Sequence, residues 1–247
     1  MIQIFPLQGL PEIQPGDDLA VLIAERAHRQ ELEIRNGDIF VIAQKIVSKA
    51  EARMVYLATV RPSDRAAAWA REWGKDPRLI ELILSESKRI VRMERGVIVA
   101  ETRHGFVCAN AGVDVSNSPE GTAILLPADP DGSARELRKA LASAFDADIG
   151  IIISDTFGRA WREGLVNVAL GVAGLAPLID YRGETDANGR PLQATIIALA
   201  DELASAAELV MGKSDRVPVA IIRGVQAQSR DGSGRDLIRP ADKDLFR

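Results

Sequence analysis

The sequence predicts a fold of mixed α and β structure, and three observations carry that expectation. Two unbroken apolar runs rich in β-branched residues, Ile39-Phe40-Val41-Ile42-Ala43 and Ile151-Ile152-Ile153, read as strands buried on both faces. Apolar residues recur at helical spacing elsewhere, as in Leu19, Val21, Leu22, Ile23 and Ala27, and in Leu137, Ala140, Leu141 and Phe145. Between residues 89 and 108 short apolar runs alternate with charged residues and Gly, the pattern of antiparallel strands.

Taken in order, Pro15-Gly16-Asp17-Asp18 supplies an acidic capping signal for a first helix from Leu19. Gly37-Asp38 breaks to the strand at Ile39, whose end leads into Gln44-Lys45-Ile46-Val47-Ser48-Lys49 and so carries two lysines. Pro62 to about Ser87 is Ala-rich, charged and helical, and its breaks at Gly74 and Pro77 predict two helices. Val97 to Ala100 and Phe106 to Cys108 are strand-like and feed the polar loop Ala109 to Asn117. Ala123 to Leu126 is another short strand, Pro127 to Gly132 a turn, and Ser133 to Phe145 a helix. The strand at Ile151 then delivers Ser154-Asp155-Thr156, followed by Gly158, Arg159, Trp161 and Arg162. Val166 to Ala176 is rich in small residues and reads as a tightly packed helix or turn. Asp186 to Pro191 is a hairpin tip or loop, and Ile196, Ala200, Leu203, Ala207 and Val210 mark a helix face ending at Gly212. Pro218 to Ile222 is the last buried strand. The tail from Gln226, with Leu237, Ile238, Leu245 and Phe246, is either frayed or docked on a partner subunit.

Composition narrows the function. With 247 residues and 47% hydrophobic content the chain can bury a sizeable core, and no linker divides residues 1–247 into separate domains. A formal charge of −4 and only 4% aromatic residues argue against a nucleic-acid surface. The one cysteine, Cys108, excludes an internal disulfide framework and a cysteine-rich zinc site. No apolar window approaches a membrane span and no leader pattern precedes the first helix, so a cytoplasmic, unprocessed protein without membrane partners is expected.

Gly212-Lys213-Ser214 looks like the end of a P-loop, but the pattern requires Gly where this chain has Ala207, and a strand before the loop rather than a helix. No G-x-G-x-x-G follows a strand, and His28 and His104 form no metal motif. What remains is a hard-cation reading. Asp114 and Asp155 would be carboxylate ligands from two loops, Thr156 a hydroxyl ligand, and Lys49 and Asn117 contacts to phosphate or base. The competing reading is structural: Asp155 as the cap of a following helix, and Lys49 as a solvated side chain.

The wording of the motifs points further. Gly9-Leu10-Pro11-Glu12-Ile13, Gln44 to Lys49, Ala111-Gly112-Val113-Asp114 with Ser116-Asn117, Asp155 to Arg162, Gly174-Leu175-Ala176 and the Ala200 to Lys213 segment follow one another in register. Together they resemble the coenzyme F-420-0:L-glutamate ligase family nearly end to end. The resemblance implies an α+β fold of two α+β subdomains packed through a shared mixed sheet, one ligase domain over 1–247, and a homodimer. It implies GTP-dependent addition of L-glutamate to the lactyl carboxylate of coenzyme F-420-0, then of γ-linked glutamates, through an acyl phosphate. By this resemblance Leu10, Pro11, Glu12, Ile13, Gln44, Lys49 and Asn117 would contact GTP. Asp114, Asp155 and Thr156 would hold Mg²⁺ or Mn²⁺, as two divalent ions, with K⁺ a further candidate. Asp114, Asp155 and Lys49 would carry the catalysis, with Arg159 and Arg162 as more distant candidates for phosphoryl charge. The family's two-domain form carries a flavin-binding nitroreductase-like domain that these residues do not match, so reduction of the deazaflavin is not expected. A deazaflavin- or nucleotide-binding module without ligase activity, or a ligase for another carboxylate acceptor, are the alternatives.

Overall fold

A computed structural model describes residues 1–244; Leu245 and Phe246 of the tail lie outside the described residues. In chain order the elements are β1 (Gln3–Pro6), α1 (Leu19–Arg29), β2 (Ile39–Ala43), α2 (Gln44–Ala50), β3 (Met54–Tyr56), α3 (Asp64–Trp73), α4 (Pro77–Glu86), β4 (Ser87–Glu94), β5 (Val97–Thr102), β6 (Val107–Ala109) and β7 (Thr122–Ile124). They continue with α5 (Pro130–Phe145), β8 (Gly150–Arg159), β9 (Arg162–Ala173), β10 (Ile179–Asp180), β11 (Ile196–Ile197), α6 (Leu199–Met211) and β12 (Val219–Arg223). The fold is α+β. Its centre is a mixed five-stranded sheet in the order β1-β12-β2-β8-β9, in which only β2 and β8 run parallel.

That sheet is covered on both faces, which explains the unbroken apolar runs. Phe40, Ile42, Ile151 and Ile153 pack with Ile23, Leu137 and Leu141 of α1 and α5, whereas Ile39, Val41 and Ile152 pack with Leu203, Ala204 and Ala207 of α6. Alternate residues therefore face different helices, and no polar face is needed. A second core joins α3 and α4 to Ile98, Ala100, Ala123 and Leu125, and its strands form sheets of their own, β4-β5-β6 and β3-β7. One buried charge ties two strands together. Asp38 is fully buried and accepts two hydrogen bonds from Arg223, at 2.8 and 2.6 Å, fixing the start of β2 to the end of β12.

The predicted capping of α1 by Asp18 is present, its side chain accepting from the Val21 amide, and the two helices divided at Gly74 and Pro77 are α3 and α4. Asp186 to Pro191 is a hairpin tip closed by the Asp186 and Gly189 amides. Other boundaries differ. Helix α5 starts at Pro130 rather than Ser133, because proline at the first helical position loses no hydrogen bond. The short strand predicted from Ala123 is β7, two residues shorter at its end.

The lysines expected at a strand end lie on α2. The small-residue stretch from Val166 is not helix or turn; it continues β9 to Ala173. Ile196 lies in β11, outside α6. The tail docks on its own chain: Gln228 accepts from the Ala176 amide, Leu237 joins the α6 core, and Ser233 and the Gly234 amide bind Asp131 at 2.5 and 2.8 Å. Among the described residues no helix is long and apolar enough to cross a membrane.

Candidate active site

Strands β2 and β8 run parallel and end side by side, Ala43 opposite Ser154. The crevice beyond the carboxyl ends of parallel strands is where α/β proteins gather ligands. Here β2 passes directly into α2, bringing Gln44, Lys45 and Lys49, while β8 continues through Asp155 and Thr156 into a hairpin with β9. No helix follows Asp155, so the capping explanation of that residue is excluded.

The polar loop after β6 supplies the second carboxylate. Asn110, Ala111 and Gly112 all have positive φ, and a Cβ at Gly112 would lie 2.6 Å from the Leu126 side chain, so the chain turns sharply and close to β7. Asp114 is then fixed by paired backbone hydrogen bonds with Ile124, at 3.0 and 2.7 Å. Its carboxylate receives Lys45 Nζ at 2.7 Å, the Ser116 amide at 2.7 Å and the Ser116 hydroxyl at 2.9 Å. Burial works against that charge, but the Lys45 and Ser116 hydrogen bonds outweigh it and hold the carboxyl below its ordinary range.

Asp155 behaves oppositely. It forms no ion pair among the described residues, and burial pushes its carboxyl up to about 6 against the opposing Thr156 amide and the charges of Lys45 and Lys213. The Asp114 charge adds to the rise, so the two carboxylates lie within electrostatic reach of each other. Thr156, the next residue along β8, donates to Asn167 Oδ1 at 2.7 Å and accepts from Lys213 Nζ. At the back of the crevice Gln44 Nε2 and Ser154 Oγ are buried with no hydrogen-bond partner among the described residues.

The other expected contacts cluster around the same helix. Lys49 is buried and paired with Glu12, Ile13 is buried, and Leu10 packs against the same core. Pro11 and Glu12 are exposed, and Asn117 is exposed at positive φ. No hydrogen bond joins Leu10, Pro11 or Asn117 to the two carboxylates. Arg159 is spent on the hairpin, donating to the Glu163 carbonyl at 2.5 Å.

A family model described as F420-0:Gamma-glutamyl ligase matches residues 9–224. The chain belongs to that family. It is similar to the coenzyme F420:L-glutamate ligase of Methanothermobacter thermautotrophicus, with 49% identity over 100% of this chain and 99% of the relative. The enzyme of that name from Methanopyrus kandleri is 48% identical over 100% and 98%, and that from Archaeoglobus fulgidus 37% over 100% and 96%. Within this ligase family fold, Lys45, Ser116, Asn167, Glu208 and Lys213 join the site although nothing in their spacing gave them roles. Lys213 lies in the segment rejected as a P-loop, and rightly so, since it follows the end of α6 and not a strand. Its signal was the Gly-Lys pair itself, which reaches the site by crossing to β8.

Proposed function

We propose that the protein is a GTP-dependent ligase that adds L-glutamate to the carboxylate of coenzyme F-420-0 and then further γ-linked glutamates, acting as a cytoplasmic homodimer with one ligase domain. The observation that carries this reading is the pair Asp114 and Asp155, brought by the loop after β6 and by β8 to one crevice and flanked by Lys45 and Lys213. The names of the relatives supply the substrates.

The residues fit a hard divalent cation. Asp155 is a largely desolvated carboxylate with no ion pair among the described residues, Thr156 adds a hydroxyl oxygen, and Asp114 adds a second carboxylate. Among the described residues no three His, Cys, Asp or Glu side chains converge, so a bound ion would take its other ligands from phosphate oxygens and water, the habit of Mg²⁺ and Mn²⁺. When bound, two such ions, with K⁺ as an auxiliary, would neutralise the charge shared by the γ-phosphate and the acceptor carboxylate.

The protein's own groups do the rest. Two anions must meet for the carboxylate to take the γ-phosphoryl group, and Lys45 and Lys213 place positive charge beside that meeting point. Lys49 and Gln44, on α2, are set to hold GTP with the loop from Leu10 to Ile13 and with Asn117, Lys49 exchanging Glu12 for a phosphate oxygen. The bond from the γ-phosphorus to the bridging oxygen breaks as the carboxylate oxygen attacks, releasing GDP. Glutamate's amine then attacks the acyl carbon, phosphate leaves, and the amine proton passes to solvent.

Purified protein given GTP, Mg²⁺ or Mn²⁺, L-glutamate and coenzyme F-420-0 is expected to form products heavier by successive glutamyl residues. No adduct with either metal, while GTP still binds, would overturn the reading. D155N is expected to abolish metal-dependent GDP release with an unchanged circular dichroism spectrum; near-normal turnover would remove Asp155 from the mechanism.

A further inference from the structure

We infer that Asn167 and Glu208 are positioning residues that commit the proton of Thr156 away from the crevice, leaving its oxygen there as an acceptor only. The hydrogen bonds form a directed series. Asn167 is buried on β9, and its Nδ2 donates to Glu208 Oε2 at 2.9 Å. A carboxylate can only accept, so it fixes which end of the amide faces it. The other end, Oδ1, must then face Thr156, whose hydroxyl donates to it at 2.7 Å. Lys213 Nζ is a donor and cannot take that proton; it contacts Thr156 Oγ1 as well and lies 3.9 Å from Glu208, closing the ring.

Helix α6 holds this arrangement in register. Asp201 accepts from the Ala169 amide at 2.8 Å, Ser205 donates to the Asn167 carbonyl at 2.8 Å, and Glu208 receives the Asn167 side chain. These positions lie on one face of a helix, so α6 reads along β9 and clamps the strand beneath Thr156. A hydroxyl whose proton is committed elsewhere meets a cation with its lone pairs. A freely rotating one spends part of its time presenting hydrogen instead. Outer-shell groups of this kind are typically worth about 10–100-fold in metal affinity.

The inference rests on the reading of Thr156 as a metal ligand, and the test separates the two. Mn²⁺ binding to the purified protein would be measured by loss of the electron paramagnetic resonance signal of free Mn²⁺, with no turnover required. T156V, N167L and E208A are each expected to weaken binding about tenfold. The T156V/N167L double variant should bind no more weakly than T156V alone, since both changes remove one interaction. If T156V weakens binding while N167L and E208A stay within twofold of the parent, the positioning role is wrong and the ligand reading stands. If T156V has no effect, both fall. Should N167L fail to fold, E208A carries the test, because the Glu208 side chain is 28% exposed and its removal opens no sealed cavity.

Discussion

Lys45 and Asp114 meet at 2.7 Å with side chains 22% and 40% exposed. Pairs so open to water contribute at most about 1 kcal/mol to folding. The same ammonium acts on Asp155 as well, so its loss matters far more to charge in the crevice than to the fold. K45M is therefore expected to stay within about 1 kcal/mol of the parent in urea denaturation, while GDP release falls roughly 100-fold, the usual cost of one preorganised donor. Parallel losses of stability and turnover would make Lys45 structural. Cys108 gives a second check on the crevice wall. Burial, and then the charge of Asp155, push its thiol up to about 12, so at pH 8 on the order of one molecule in ten thousand would carry the thiolate. Native protein should resist a thiol-specific disulfide reagent at that pH and react promptly in denaturant. Asp114, Asp155 and Thr156 were legible as residue types because oxygen ligands recur after apolar runs. Asn167, Glu208 and Lys213 were not: Asn167 meets Thr156 as its cross-strand partner on β9, in a stretch that reads as helix or turn, and Glu208 and Lys213 reach this pair only when α6 lies across β9, a packing that local sequence does not encode.

At the level of elements, periodicity located strands and helices well where one face or both are continuously apolar, as in β2, β8, α1 and α6. It failed on β9, whose Gly171 suggested a turn. The structure gives the reason: a Cβ there would lie 2.2 Å from the Pro130 carbonyl oxygen, so the strand is thinned to let α5 start against it. The same junction sets the start of α5, where Asp131 accepts from the Val172 amide at 2.9 Å, the Gly234 amide at 2.8 Å and Ser233 at 2.5 Å. One buried carboxylate thus ties helix, strand and tail. D131A should cost roughly 3 kcal/mol, since it orphans buried donors, and should make the chain beyond Gln226 the first site cut by a protease. Equal stability with an uncut tail would mean that apolar contacts of Leu237 and Ile238 suffice to hold the tail.

For the whole molecule, the balance of shifted carboxyls sets how stability depends on pH. Asp114, Asp76 and Glu81 are lowered, the first by Lys45 and Ser116 against the opposing effect of burial, the second by Arg78 and the third by Ser63. Their stabilisation is present above the ordinary carboxylate range and is lost as pH falls through the lowered values. Asp201 runs the other way. Burial between α6 and β9 raises its carboxyl above the ordinary 3.8, only partly offset by the Ala169 amide. The unfolded chain gives up that proton first, so the contribution of Asp201 is full below the ordinary value and declines as pH rises through the raised one. Asn at this position keeps an oxygen for the Ala169 amide and carries no charge to desolvate. D201N should accordingly melt at a higher temperature than the parent at pH 7, and the gap should narrow near the ordinary 3.8, as the parent carboxyl takes up its proton. A gap that is the same at both pH values would show that charge burial at Asp201 is not the cause, and that the substitution acts on packing between α6 and β9 instead.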